Sequence, residues 1–267
     1  MTNKIHNIPI FIVGCQRSGT SLLRRLLDLH SRIASPPETN FFMHIAQLYE
    51  NERCLMSLQN MGLTENKVLD VIGEITNTFL TVYMKINNKQ RWAEKTPHNV
   101  NHLRTIDKAF RGKVQYIAIV RDGLDVAYSL QKFDWGILTP YLEESSVKEV
   151  AAIRFWADQV SKIITFKKEV GERMFLLTYE KLTQSPVEAM KDIFDFLDET
   201  YEDVVSKYGT QQHSVGFEDP TINNYKQIVC NSGNYKKWSI LLQQQLYSEA
   251  KDIFEELGYK KRFSDVV

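Results

Sequence analysis

The sequence predicts a single α/β domain over residues 1–267, a parallel β-sheet of about five strands flanked by helices, with residues 41–90 as a helical insert over the site. Three observations predict it. Short, mostly apolar runs recur along the chain, as strands buried on both faces require. Stretches with helical spacing of their apolar residues follow these runs, and that alternation implies parallel strands joined by right-handed crossovers. Hydrophobic residues make up 43 % and charged residues 25 % of 267, an ordinary globular composition at a length that commonly forms one such domain.

Ile8 to Val13 is a continuous apolar run ending at Gly14 and reads as the first strand. Ser18 to Leu29 follows as a helix with Leu22, Leu23, Leu26 and Leu27 on one face. Ile33 and Ala34 form a strand end. From Phe41 to Ile86 the pattern is helical: Val68, Val71, Ile72, Ile75, Phe79 and Val82 recur at spacings of three and four behind Thr64, a candidate N-cap. That insert covers a site or packs on the sheet as a layer, and the two are compatible. Val114 to Val120 is a second buried strand, followed by a helix that includes Val126 to Leu130. Trp156, at helical spacing with Ala152 and Val160, reads as core. Met174 to Thr178 is a third strand. Ser185 and Glu188 spell a capping box, with Pro186 at the first helical position. Residues 199–235 are polar and irregular, and a last helix, about 240 to 257, stops at Gly258.

Lys+Arg and Asp+Glu both number 33, so the net charge is zero and a general nucleic-acid or polyanion binder is disfavoured. Any anion site must be local. Cys15, Cys54 and Cys230 show no metal-ligand spacing, which suits a reduced, cytoplasmic setting and no bound metal. Ile8 to Val13 is too short for a secretory leader, and no run reaches the roughly 20 apolar residues of a membrane span.

Residues 14–21, from Gly14 through Gln16, Arg17, Ser18, Gly19 and Thr20 to Ser21, lie between a strand and a helix start. Such a loop aims backbone N–H groups and the positive end of the helix dipole at one point, which suits a phosphate. The spacing resembles the triphosphate loop GxxxxGK[ST], but Thr20 stands where that motif has lysine, and the cation is Arg17 inside the loop.

This loop after an apolar strand resembles the 5′-phosphosulfate loop of sulfotransferases that use 3′-phosphoadenosine 5′-phosphosulfate (PAPS). A second landmark of that family, a strand ending in Arg with Ser eight residues later, is matched by Arg121 and Ser129. The tyrosyl-protein and bacterial branch is the nearest match. The resemblance implies a P-loop NTPase-like sheet, PAPS as donor with PAP as product, the 3′-phosphate on Arg121 and Ser129, and no metal. It also implies Tyr179 near the adenine, and a loop of Ser232, Gly233, Tyr235 and Lys236 in place of the family's Gly-x-Trp-Lys. Ile228 to Cys230 replaces the Arg-Lys-Gly of the cytosolic branch.

The segment Pro36 to Asn40 resembles one whose glutamate is the base, which maps onto Glu38; Trp92 to His98 resembles one whose lysine assists the leaving group, which maps onto Lys95. His98 is the alternative base. Arg17 is suited to the charge that builds on the leaving phosphate oxygen. The acceptor is a hydroxyl on a carbohydrate, tyrosyl-peptide, sterol or small metabolite, bounded by residues 41–90 and by 132–147 with Phe133, Trp135, Leu138 and Tyr141. The rivals are an ATP- or GTP-dependent P-loop kinase with Asp122 on magnesium, and a non-catalytic nucleotide-binding module.

Overall fold

In the computed structural model, residues 7–214, 216–219, 222–224 and 226–259 are described. The sheet has five strands, β1 Ile10–Val13, β2 Ile33–Ala34, β3 Arg91–Lys95, β4 Gln115–Val120 and β5 Met174–Thr178, in the order β2-β3-β1-β4-β5. All pairs are parallel, and β1 lies at the centre with Ile12 opposite both Lys95 and Ile117. β1 is fully buried because helices cover both faces. On one face Ile10 and Ile12 meet Leu22, Leu23, Leu26 and Leu27 of α1, Thr20–Asp28. On the other, Phe11 and Tyr116 meet the insert.

The insert forms α2 Phe41–Glu50, α3 Glu52–Asn60 and α4 Glu65–Ile86, the last capped by Thr64, whose hydroxyl accepts from the Lys67 amide at 3.2 Å. It packs as a layer on the sheet, burying Val68, Leu69, Ile72 and Leu80, while Phe79 and Val82 of the expected stripe are exposed. Gly73 sets how closely α4 approaches: a Cβ there would lie 2.5 Å from the Ala109 carbonyl.

Two local expectations fail. Ser185 precedes the helix Pro186–Phe196, but its side chain makes no capping bond. The final helix is two, Ile240–Glu249 and Lys251–Glu256, broken where Ala250 adopts φ −135°. Among the described residues no helix is long and apolar enough to cross a membrane.

Candidate active site

A cavity of about 530 Å³ opens where the strands end. Gln16 follows β1, Glu38 follows β2, His98 follows β3, Arg121 leaves β4 and Tyr179 follows β5, and all five line it. Ligands of open α/β sheets bind at such carboxyl ends, and the volume is typical of a ligand site.

The glycine loop is held by close contacts. A Cβ at Gly14 would lie 2.6 Å from the Ile119 carbonyl, and one at Gly19 would lie 2.5 Å from the Tyr179 ring. Gly19 also has φ 94°, in the left-handed region, where it opens α1. Arg17 takes φ 69° without being glycine, so the loop turns its side chain away from the regular course of the chain. No acidic residue occupies the first turn of α1, leaving its positive end for an anion.

Arg17 meets partners from several parts of the chain. Its Nε donates to Ser129 Oγ at 2.9 Å and its Nη1 pairs with Asp219 at 2.6 Å. Its guanidinium lies 4.7 Å from the centre of the Phe133 ring, which stacks on Trp135 at 4.4 Å. Ser129 is thus bonded to Arg17. Arg121 stacks on Tyr179 at 4.3 Å, donates to the Arg17 carbonyl at 2.9 Å, and reaches the Asn231 carbonyl with Nη2. Asp122 accepts from the Leu124 amide at 3.0 Å and so caps the helix Gly123–Leu130.

Lys95, fully buried, donates to Glu38 Oε1 at 2.6 Å and to Ser21 Oγ at 3.2 Å. Burial pushes its pKa down, and Glu38 pulls it back up. The Glu38 amide donates to the Phe217 carbonyl at 2.8 Å. Burial likewise lowers the His98 imidazole, with Glu38 opposing, which favours the neutral ring.

Gln16 Oε1, Ser18 Oγ, His98 Nδ1 and Arg121 Nε are buried without a hydrogen-bond partner among the described residues. Each such group costs roughly 1–3 kcal/mol. Their gathering around one loop fits a polar ligand that satisfies them.

The other sequence expectations divide. Trp135 and Ile137 line the cavity, whereas Leu138 is buried in a core cluster that Tyr141 packs against. No residue of 41–90 lines it; the wall comes from 208–231, including Tyr208, Phe217, Asp219 and Asn231. Ser232, Gly233, Tyr235 and Lys236 do not line it either. Tyr235 packs in the core instead, and the Gly233 amide donates to Asp125 at 2.7 Å.

Three acidic residues stand out only in the folded chain. Glu218 is clamped by Arg24 and Arg25 of α1, and Asp219 beside it reaches Arg17. Glu94 is fully buried in β3. Burial raises its pKa from 4.5 to about 7, against bonds from Thr96 and Thr39 and the charge of Lys95, which lower it; Glu38 raises it further. The folded protein therefore holds a proton that the unfolded chain has released, and stability falls as pH rises from 4.5 to about 7. Glu94→Gln should flatten that slope in melting curves taken across this range. An unchanged slope would reject Glu94 as its source.

Residues 9–203, well over half of the chain, match the profile described as the Sulfotransferase family. The chain belongs to the sulfotransferase family. Protein-tyrosine sulfotransferase A of Caenorhabditis elegans is 28 % identical over 206 residues, covering 73 % of this chain and 51 % of that protein. The chain spans 39 to 66 % of the length of the first curated relatives it matches. Among solved structures, the sulfotransferase domain from the curacin biosynthetic pathway superposes with a TM-score of 0.68 at 21 % identity, covering 94 % of this chain and 98 % of that one. Mouse sulfotransferase SULT7A1, solved with PAP, gives 0.56 at 15 % identity, covering 98 % and 86 %. These likenesses show a shared fold, the parallel sheet flanked by helices predicted from the sequence.

Proposed function

We propose that this chain transfers a sulfuryl group from PAPS to a hydroxyl acceptor. One observation carries the reading. Glu38, Lys95 and Ser21 form a connected chain, carboxylate to buried ammonium to helix-start hydroxyl, with links of 2.6 and 3.2 Å beside the glycine loop. A kinase loop would need its lysine where Thr20 stands. A binding module has no use for a carboxylate coupled to a buried cation in this way.

Bound here, PAPS would supply a sulfuryl group whose bond to the 5′-phosphate oxygen breaks as the acceptor oxygen bonds to sulfur. The residues of 14–21 and the start of α1 would hold the phosphosulfate end with backbone N–H groups, Thr20 and Ser21. Arg121 would meet the 3′-phosphate with its unpartnered Nε. Tyr179 would flank the adenine. Glu38 would take the acceptor proton, with the neutral His98 imidazole as the other base within the cavity. Arg17 and Lys95 would offset the charge left on the phosphate oxygen, a task that needs no metal.

The acceptor would reach Glu38 past Trp135 and Phe217, which are 44 % and 78 % exposed. Their flat faces suit a phenol such as tyrosine, a sugar or a steroid. The curated relatives named as protein-tyrosine sulfotransferases favour testing a tyrosyl peptide first.

Thermal unfolding with PAP, PAPS, ATP–Mg²⁺ and GTP–Mg²⁺ in parallel tests the donor. A ligand at ~100 times its dissociation constant stabilises by about 2.7 kcal/mol, a shift of several degrees at this length. Shifts with PAP and PAPS alone support the reading, and shifts with the triphosphates alone overturn it.

Asp219 places a carboxylate on the cation that the donor needs. Asp219→Asn should therefore tighten PAP binding, by up to about tenfold if relief of the like charge is worth ~1.4 kcal/mol. Weaker binding, read by calorimetry, would instead make Asp219 a support that aims Arg17.

A further inference from the structure

Glu94 sits in the wrong place for a fold-stabilising residue. It occupies β3, between β1 and β2 in a parallel sheet, opposite Phe11, at a fully buried position where such sheets use Val or Ile. Its hydrogen bonds come from uncharged donors. Oε1 accepts from Thr39 Oγ1 at 2.9 Å and from Thr96 Oγ1 at 2.6 Å, and Oε2 accepts from Asn99 Nδ2. A buried carboxyl is costly without a paired charge, and the ammonium of neighbouring Lys95 is bonded instead to Glu38 and Ser21. Departures from local folding logic of this kind concentrate at functional sites.

The identity of the donors gives the departure a use. Thr39 follows Glu38, Thr96 follows Lys95, and Asn99 follows His98. Glu38 and His98, which line this corner of the cavity, and Lys95, buried behind it, are thus each one residue from a side chain that Glu94 holds. The hold reaches the backbone as well, because Thr96 Oγ1 accepts from the Asn40 amide at 3.3 Å. Glu94 itself does not line the cavity. Successive strand residues point to opposite faces, so Lys95 reaches α1 while Glu94 gathers the three segments from behind.

We propose that Glu94 is a positioning residue for sulfuryl transfer, a buried hub that fixes Glu38, Lys95 and His98 relative to one another. The inference rests on the reading of the cavity as a sulfotransferase site. Misplacing reacting groups by about 1 Å from a distance costs roughly 10²-fold in rate.

The test uses Glu94→Ala, Glu94→Gln and Thr39→Val beside the wild type, with active sites counted by PAP binding. Glu94→Ala should lower kcat about 100-fold while KM for PAPS and the PAP-induced melting shift stay within about twofold. Glu94→Gln should recover at least roughly tenfold over Ala, because the threonine hydroxyls can rotate and Asn99 can turn its unpartnered Oδ1 to the new amide. Thr39→Val should lower kcat about tenfold. A purely structural Glu94 would lower the melting temperature and leave kcat per PAP-binding site unchanged, with no split from KM. Folded Glu94→Ala with kcat within about threefold of wild type overturns the proposal. If that variant does not fold, unchanged kcat in Thr39→Val overturns it. Wild-type protein that transfers nothing from PAPS overturns the sulfotransferase reading, and this role with it. Normal wild-type turnover with unaffected variants removes the role of Glu94 alone.

Discussion

Glu38→Gln should lower kcat by about 10²- to 10⁴-fold and leave PAP affinity unchanged. The substitution keeps the shape of the side chain and its oxygen toward Lys95, but it removes the basicity a proton acceptor needs. The geometry makes the experiment clean. The Glu38 backbone is held independently by its amide bond to the Phe217 carbonyl, and Lys95 keeps its second partner, Ser21. A loss of turnover without a loss of PAP binding is therefore a loss of chemistry. Unchanged turnover would transfer the role to His98, whose half-buried imidazole is held toward its neutral form. His98→Gln would then be the variant that fails. A protein that turns over nothing in any form, yet binds PAP, would be the binding module.

Arg17→Ala should be nearly as severe, at roughly 10²- to 10³-fold in kcat, the usual cost of removing one charge-stabilising donor. Alanine carries the same Cβ as arginine, so the left-handed backbone at φ 69° is no more strained than before. The fold should survive, and a melting curve close to wild type checks this. Arg17→Lys separates charge from geometry, since lysine keeps the cation but cannot reproduce the Nε bond to Ser129 together with the Nη1 pair to Asp219. Lysine should restore part of the rate. Full activity in Arg17→Ala, read with labelled PAPS, would remove Arg17 from the mechanism.

What the sequence displayed and what it hid follow from how far apart the interacting residues lie. The loop at 14–21 was legible because strand, glycines and helix start are contiguous and share one local geometry. Arg121 and Ser129 stood out through the resemblance, as the strand end and the helix beyond it, and the structure links them through Arg17. β3 was missed as a strand because Arg91, Glu94 and Lys95 interrupt any apolar run, yet every residue in it is buried. Their polar groups are satisfied by partners outside the strand, many of them distant; Arg91, for example, donates to the Leu197 carbonyl at 2.8 Å. The insert was legible as helix but only partly in its orientation: Val68 and Ile72 of the expected stripe are buried, but the buried face continues through Leu69, Gly73, Thr76 and Leu80, which turns Phe79 and Val82 to the outside. The cavity wall from 208 to 231 has no periodicity. It is pinned by Glu218 on Arg24 and Arg25, partners more than 190 residues away. Tyr235, which the resemblance sets beside the nucleotide, has its ring packed in a core cluster.

That wall has a consequence for how this chain can diversify. The residues proposed for the chemistry, Arg17, Glu38, Lys95 and Arg121, all lie within 9–203, the stretch matched to the family. Tyr208, Phe217, Ile222 and Asn231, which enclose the same cavity, lie beyond it. Much of the cavity wall is thus written in a different stretch of the polypeptide from the residues proposed for the chemistry, with Trp135 and Ile137 as wall residues inside 9–203. Exchange of the second stretch would retune which molecules enter, provided the incoming segment still offers carbonyls to the Glu38 amide and to Arg121 and carboxylates to Arg17 and to Arg24 and Arg25.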